Sequence, residues 1–407
     1  MRSRRTCSTE RRVREPGPTE VPVRLLAVAL FACCLLTAAP VAAQTYQVID
    51  LGTLGGNRSE AKDINEAGQI VGSAENAGGQ DRAFLWQNGT MTDLGTLSGA
   101  ESVALGINDA GWVVGEADTA GGDTHAFLWR AGLGMSDLGT LGGTESTAWD
   151  INNAGSVVGE SDVVGDIEVH PFLYQSGAMT DLGVLTGGTH AQALGINAIG
   201  TIVGWSTTTG VIGWHAFVYT GGAMTDIGNP GLSGGHSGAM AVNDGGNVVG
   251  EAEPAGGGTV PFLYAGGAMT SLGSLGGNVG TAMDIGSSGV IVGWSHVLGG
   301  TTAHAVIYDD DNGLRDLNDL IPAGSGWLLI AANAINESGW IVGYGEFGGQ
   351  DRAFLLKPAG DACCCLPSGG LAIVGLVVGF CLISRPNRRT VGRIKASAPR
   401  VGERPGG

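Results

Sequence analysis

Polar residues that recur at a fixed spacing are the first place to look for chemistry. His125, His170, His215 and His304 occupy one column of a recurring segment, and Arg82 and Arg352 stand in the same column. Histidine can move protons or ligate metal at neutral pH. One active site does not need such a residue in every unit, whereas a set of equivalent packing environments does. The column is therefore read as structural, with the side chains bonded to neighbouring backbone groups. The same holds for Asn65, Asn108, Asn152, Asn197, Asn243 and Asn336, each at a turn where asparagine bonds its own backbone.

Residues outside the repeated columns are better candidates for binding. They fall in long, variable connections such as "ESDVVGDIEVH", "WSTTTGVIGWH" and "LIPAGSGWLLI". Loops on a rigid scaffold carry binding residues more often than the scaffold does. Asp162, Asp166, Glu168, Trp214 and Trp327 are the candidates, the tryptophans suiting contact with a sugar or a peptide. No cofactor is expected. The run Asp309, Asp310, Asp311, Asn312, Gly313 raises calcium, but its oxygens do not alternate as a calcium loop requires, so a wide acidic hairpin is the simpler reading. The metal content is left open. No phosphate loop or nucleophile elbow is present.

The elements that must hold these residues repeat seven times. "DLGTL" or its variant begins at Asp50, Asp93, Asp137, Asp181, Asp226, Ser271 and Asp316, in steps of 43 to 45 residues. A period that keeps its register over such a length marks a repeat architecture. Each unit contains four short segments rich in β-branched and aromatic residues, bounded by Gly, Asn and Asp, as strands are. They read, in order, like "AWDIN", "GSVVG", "HAFLW" and "MTDLG", with "TLGG" as the passage to the next sheet. Asn88-Gly89 is a hairpin signal between the last two.

A four-stranded unit of this length most simply closes into a β-propeller. The expected fold is all-β: seven blades of four antiparallel strands. The chain opens with a fourth strand, 46–52, that lacks its first three, and ends with a unit that lacks its fourth. Pairing 46–52 with 353–357 closes the ring and removes an exposed sheet edge.

The ends follow another plan. Residues 1–43 look like an export signal: basic residues, the apolar run "LLAVALFACCLLTAAP", and "VAA" before Gln44. The expected organisation continues with the propeller at 44–360, a linker at 361–368, a membrane-spanning or sorting segment at 369–384 and a basic cytoplasmic tail at 385–407. That tail resembles the C-terminal sorting tails of bacterial surface proteins. All seven cysteines lie in these terminal regions, so residues 44–360 hold no disulfide and no thiolate site. The same residues carry 33 acidic and 7 basic side chains, a net charge of −26. Such a surface repels phosphate backbones and argues against a nucleic-acid partner.

"HAFLW" followed by "MTDLG" resembles the HAF-repeat family of extracellular bacterial proteins, over roughly residues 46–358. His-Ala-Phe is intact at His125 and His215 and varied elsewhere, as in His170-Pro171-Phe172. The resemblance implies an exported repeat protein. The expected function is a cell-surface binding or structural module without catalysis, with a glycan or protein at the surface as partner. A hydrolase or lyase acting on extracellular polysaccharide is the alternative.

Overall fold

The computed structural model describes residues 45–210, 213–228 and 233–359, the side chains of 233 and 234 excepted. The expected leader (1–43), linker (361–368), apolar segment (369–384) and basic tail (385–407) lie outside the described residues. Among the described residues, no helix is long and apolar enough to cross a membrane.

Seven four-stranded antiparallel sheets form the blades of a β-propeller. Blade 1 uses Gly55–Ile64, Ile70–Asn76, Asp81–Gln87 and Thr90–Asp93, in that order. Blade 7 is built from Trp327–Ile335, Ile341–Phe347 and Gln350–Pro358, and takes its fourth strand from Tyr46–Asp50. Tyr46 faces Pro358, Ile49 faces Leu355 and Asp50 faces Phe354. The closing strand stops at Asp50 rather than 52 because the Asp50 carboxylate accepts the amide of Gly52 at 2.9 Å, and Gly52 itself has φ of 84°. Tyr46 is buried between blades 6 and 7 with Leu317, Leu329 and Phe354.

The repeated motifs now have physical causes. In "VVG", the glycine of the second strand faces a register shift in the first strand, as Gly72 faces Ala61 next to Asp63. A methyl group at Gly72 would run into the carbonyl oxygen of Glu60, and the other six blades repeat this crowding. In "HAF", the alanine is buried and its amide leaves the blade. Ala83 donates to Ser102 Oγ of the next blade at 3.0 Å, and Ser102 donates in turn to the Gly95 carbonyl. Ala126 with Ser146, Ala216 with Ser237 and Ala353 with Ser59 do the same. The phenylalanine is fully buried in six blades. Each such side chain stabilises the fold by roughly 2–3 kcal/mol relative to exposure.

The apolar clusters lie between neighbouring blades. Val71, Ala83 and Leu94 of blade 1 pack on Ala104, Ile107, Val113 and Phe127 of blade 2. One expectation needs correction: "TLGG" is not merely a passage, since five of the first strands are ten residues long and begin at or next to its first glycine, as at Gly55 and Gly142. After the fourth strand of blade 6, a 3-10 turn at Leu317–Leu320 buries both leucines.

Candidate functional site

The first strand of each blade lines the central channel, and the turns after it form one mouth. Here the asparagines do more than bond their own turns. Asn152 Oδ1 accepts the amides of Ala154 and Ser156 at 3.1 and 3.0 Å, as expected. Its Nδ2 group then donates to the Asn197 carbonyl of the next blade at 3.1 Å. Asn65, Asn108, Asn197, Asn243 and Asn336 make the same step at 3.0 to 3.2 Å. Six of seven steps are thereby made. The seventh is missing because Gly286 stands where asparagine would be.

One residue pair further up, aspartates bind blades two at a time. Asp63 accepts the amides of Ile64 and Ile107 at 2.7 and 2.8 Å. Asp150 accepts those of Ile151 and Ile196, and Asp284 those of Ile285 and Ile335, at the same distances. Seven cannot be divided into pairs. Val242 in blade 5 is the position left over, with Ala241 and Gly195 where an aspartate would have to be.

These carboxylates are only partly shielded from solvent in the channel, yet protein surrounds them on the other sides. Burial pushes Asp63 up to about 8, helped by the charge of Asp150 and opposed by the Ile107 amide. Asp150 rises to about 6, burial outweighing its two amides, and Asp284 rises for the same cause.

Above them the channel opens into a cavity of about 400 Å³. Its wall carries Leu105, Trp149, Leu194, Trp205, Met240 and Met283, with Lys62, Gln192 and Asn333 among them. A network crosses blades 3 to 5 at this level. Trp149 Nε1 donates to Glu160 at 3.4 Å, Gln192 Nε2 donates to the same carboxylate, and Trp205 Nε1 donates to Gln192 Oε1 at 3.0 Å. Trp205 lies 5.5 Å from Trp214, which lies 5.0 Å from His236, which pairs with Glu253 at 3.2 Å. Burial pushes Glu160 up to about 7, against its bonds from Gln192 and Trp149.

The sequence candidates separate. Trp214 joins this network. Asp166 accepts the Thr144 amide at 2.8 Å and so holds the start of its blade's first strand. Asp162 is half-buried at the end of the second strand, opposite Val169. Glu168 stands 3.5 Å from His170. Trp327 stacks on Phe347 at 4.8 Å and meets Phe354 edge-on, capping its own blade.

The histidine column pairs with carboxylates and not, as expected from the sequence, with backbone groups. His125 Nδ1 meets Asp137 at 2.9 Å, and His170, His215 and His304 meet Asp181, Asp226 and Asp316 at 2.6 to 2.9 Å. These are the "DLG" aspartates, three of which also accept the glycine amide two residues on. Arg352 reaches Asp50 in the same way at 3.3 Å. In the acidic hairpin, Asp309 accepts from the Asp311 and Asn312 amides and pairs with Arg315. The described residues contain no group of three His, Cys, Asp or Glu that could hold a metal ion.

What the sequence reading missed is the channel column 62, 105, 149, 194, 240, 283, 333. Its signal was available: within "A-x-D-I-N" the second position runs Lys, Leu, Trp, Leu, Met, Met, Asn, while the position before it is always Ala and the one after it only Asp, Gly or Ala.

No protein-family model and no curated protein matches the chain. Among solved structures, the chain is similar to the β-propeller domain of the Trilobed protease from Pyrococcus furiosus. The TM-score is 0.50 at 9% identity, over 75% of this chain and 96% of that one. A puromycin-hydrolyzing peptidase from Mycobacterium tuberculosis aligns with a TM-score of 0.49 at 12% identity, over 78% of this chain and 55% of that one. TolB from Acinetobacter baumannii aligns with a TM-score of 0.38 at 12% identity, over 54% of this chain and 52% of that one. The chain thus spans about half the length of TolB and of the peptidase. At such identities the likeness is one of fold, and the fold is the β-propeller.

Proposed function

We propose that the chain is an exported cell-surface binding module of the HAF-repeat type, whose loop face and upper channel take an extracellular ligand without transforming it. One observation carries this reading. The network from Trp149 through Glu160, Gln192 and Trp205 to Trp214 and His236 breaks the sevenfold pattern on one side of the channel mouth. Architecture alone would not need it. The acids nearest to it already serve the scaffold, since Asp63, Asp150 and Asp284 each accept two backbone amides. A glycan or protein at the cell surface is the partner class, and the acidic surface disfavours nucleic acid. Membrane attachment would come from the segment at 369–384, and no cofactor is needed for binding.

The polysaccharide hydrolase is the second reading, and its support is specific: carboxyls raised to about 8, 6 and 7 share one region. Against it, neither oxygen of Asp63 or Asp150 is without a backbone donor. The test is to incubate the purified protein with extracellular polysaccharides and cell-wall peptides, measuring retention and products together. Retention without new ends is expected. Product formation that disappears in Asp150→Asn would establish the hydrolase instead.

A further inference from the structure

We infer that the upper channel cavity binds an organic cation with an alkyl body, of the quaternary or alkyl ammonium class. The inference rests on the binding-module reading above and adds the chemistry of a ligand.

The cavity has few hydrogen-bonding groups left to offer a ligand. Its directional groups are spent on the wall. The indole N–H of Trp149 is bonded to Glu160, and that of Trp205 to Gln192. Gln192 uses its amide on Glu160 as well. Asn333 donates to the Ala61 carbonyl at 2.8 Å and to Glu60 at 3.1 Å. Asp63, Asp150 and Asp284 each hold two amides. A sugar, whose hydroxyls need free donors and acceptors, would find few of them here.

Carbon surface and charge remain. Trp149 and Trp205 face the cavity together with Leu105, Leu194, Met240 and Met283. Three carboxyl groups line the same space against one cation, Lys62, which Glu60 already pairs at 2.7 Å. Asp63, pushed up to about 8, is mostly protonated at neutral pH, so Asp150, raised only to about 6, supplies negative charge there. A weakly hydrated ammonium needs no directional bonds. It gains from aromatic faces, polarisable thioethers and diffuse negative charge. A hard metal ion would need clustered oxygens, and no such cluster occurs among the described residues. The whole domain favours the same sign of ligand. Of its seven basic side chains, Arg58, Arg315 and Arg352 are paired with acids, and Arg130 and Lys357 lie over Trp112 and Trp340. The surplus of acids is therefore uncompensated and concentrates cations at its surface.

The test is calorimetric titration of the full-length protein with choline and tetraethylammonium, with dimethylbutanol as the neutral isostere of choline. Tryptophan fluorescence is followed in parallel. Saturable binding of the cations with quenching is expected, the neutral isostere binding at least about tenfold more weakly. Trp205→Leu should lower choline affinity by about tenfold, and Asp150→Asn by a similar factor. Asp150 also staples two blades, so Trp205→Leu, checked for an unchanged circular dichroism spectrum, keeps the test valid if the aspartate variant misfolds. Equal binding of the isostere overturns the inference, as does a folded Trp205→Leu with wild-type affinity. Absence of saturable heat up to the order of 10 mM also overturns it. If choline fails while the polysaccharide and peptide experiment still shows retention without products, this inference falls and the binding-module reading stands. Products in that experiment remove the binding-module reading whatever choline does.

Discussion

The two ends of the central channel are built from the same seven blades and use their polar atoms in opposite ways. At the turn end, asparagine amides pass from blade to blade with near-perfect repetition, and the single gap is a glycine, Gly286. At the loop end, the residue after "VVG" or "IVG" runs Ser73, Glu116, Glu160, Trp205, Glu251, Trp294, Tyr344, and no two successive blades except 2 and 3 agree. Repetition marks a job that every blade shares, namely holding its neighbour. Variation marks a job done once for the whole ring. The repeated histidine column belongs to the first kind despite its chemically suggestive residue type.

If the comparison is sound, damage at the turn end should appear as instability and damage at the loop end as lost binding. Asn152→Ala removes an acceptor for two amides and a donor to the next blade. It should cost about 2–4 kcal/mol, read as a lower denaturant midpoint. A cost below about 0.5 kcal/mol would erase the distinction between the ends.

The next effect is on pH. Asp63 and Asp150 have folded values of about 8 and about 6, above the ordinary 3.8, so the folded chain keeps protons that the unfolded chain releases. Their contribution is present in full below about pH 4 and is lost as pH rises through 6 towards 8. Thermal melts from pH 5 to pH 8 should therefore show declining stability, with a shallower slope in Asp150→Asn. A rising slope would contradict the placement of these groups.

Gly286→Asn supplies the missing seventh amide. A Cβ there meets nothing closer than 3.8 Å, and the residue does not adopt positive φ, so the substitution should stabilise by about 1 kcal/mol. The smallest effect belongs to His125→Ala, whose pair with Asp137 is partly exposed. A loss of under about 1 kcal/mol is expected, with no change in ligand retention. Loss of retention there would move the site to the outer column.

Blade number, strand order and the closing pair were legible because each depends on spacing along the chain. The half-blades at Tyr46 and Phe354 announced the closure directly. The contacts that hold blades together were not, because Ser102 looks like an ordinary polar strand residue until Ala83 is placed beside it. Trp327 looked like a loop tryptophan because its partners Phe347 and Phe354 are distant in sequence. The channel column was hidden for another reason. Comparing repeats draws attention to what they share, and residues such as Trp149 and Met240 are informative only in how they differ.

The clasp also gives the molecule a direction. Its two strands leave the ring side by side, with the Ala359 amide donating to the Thr45 carbonyl at 2.8 Å, on the end that carries the asparagine turns. The tryptophan-lined opening lies at the opposite end, so a surface held at the clasp leaves it unobstructed.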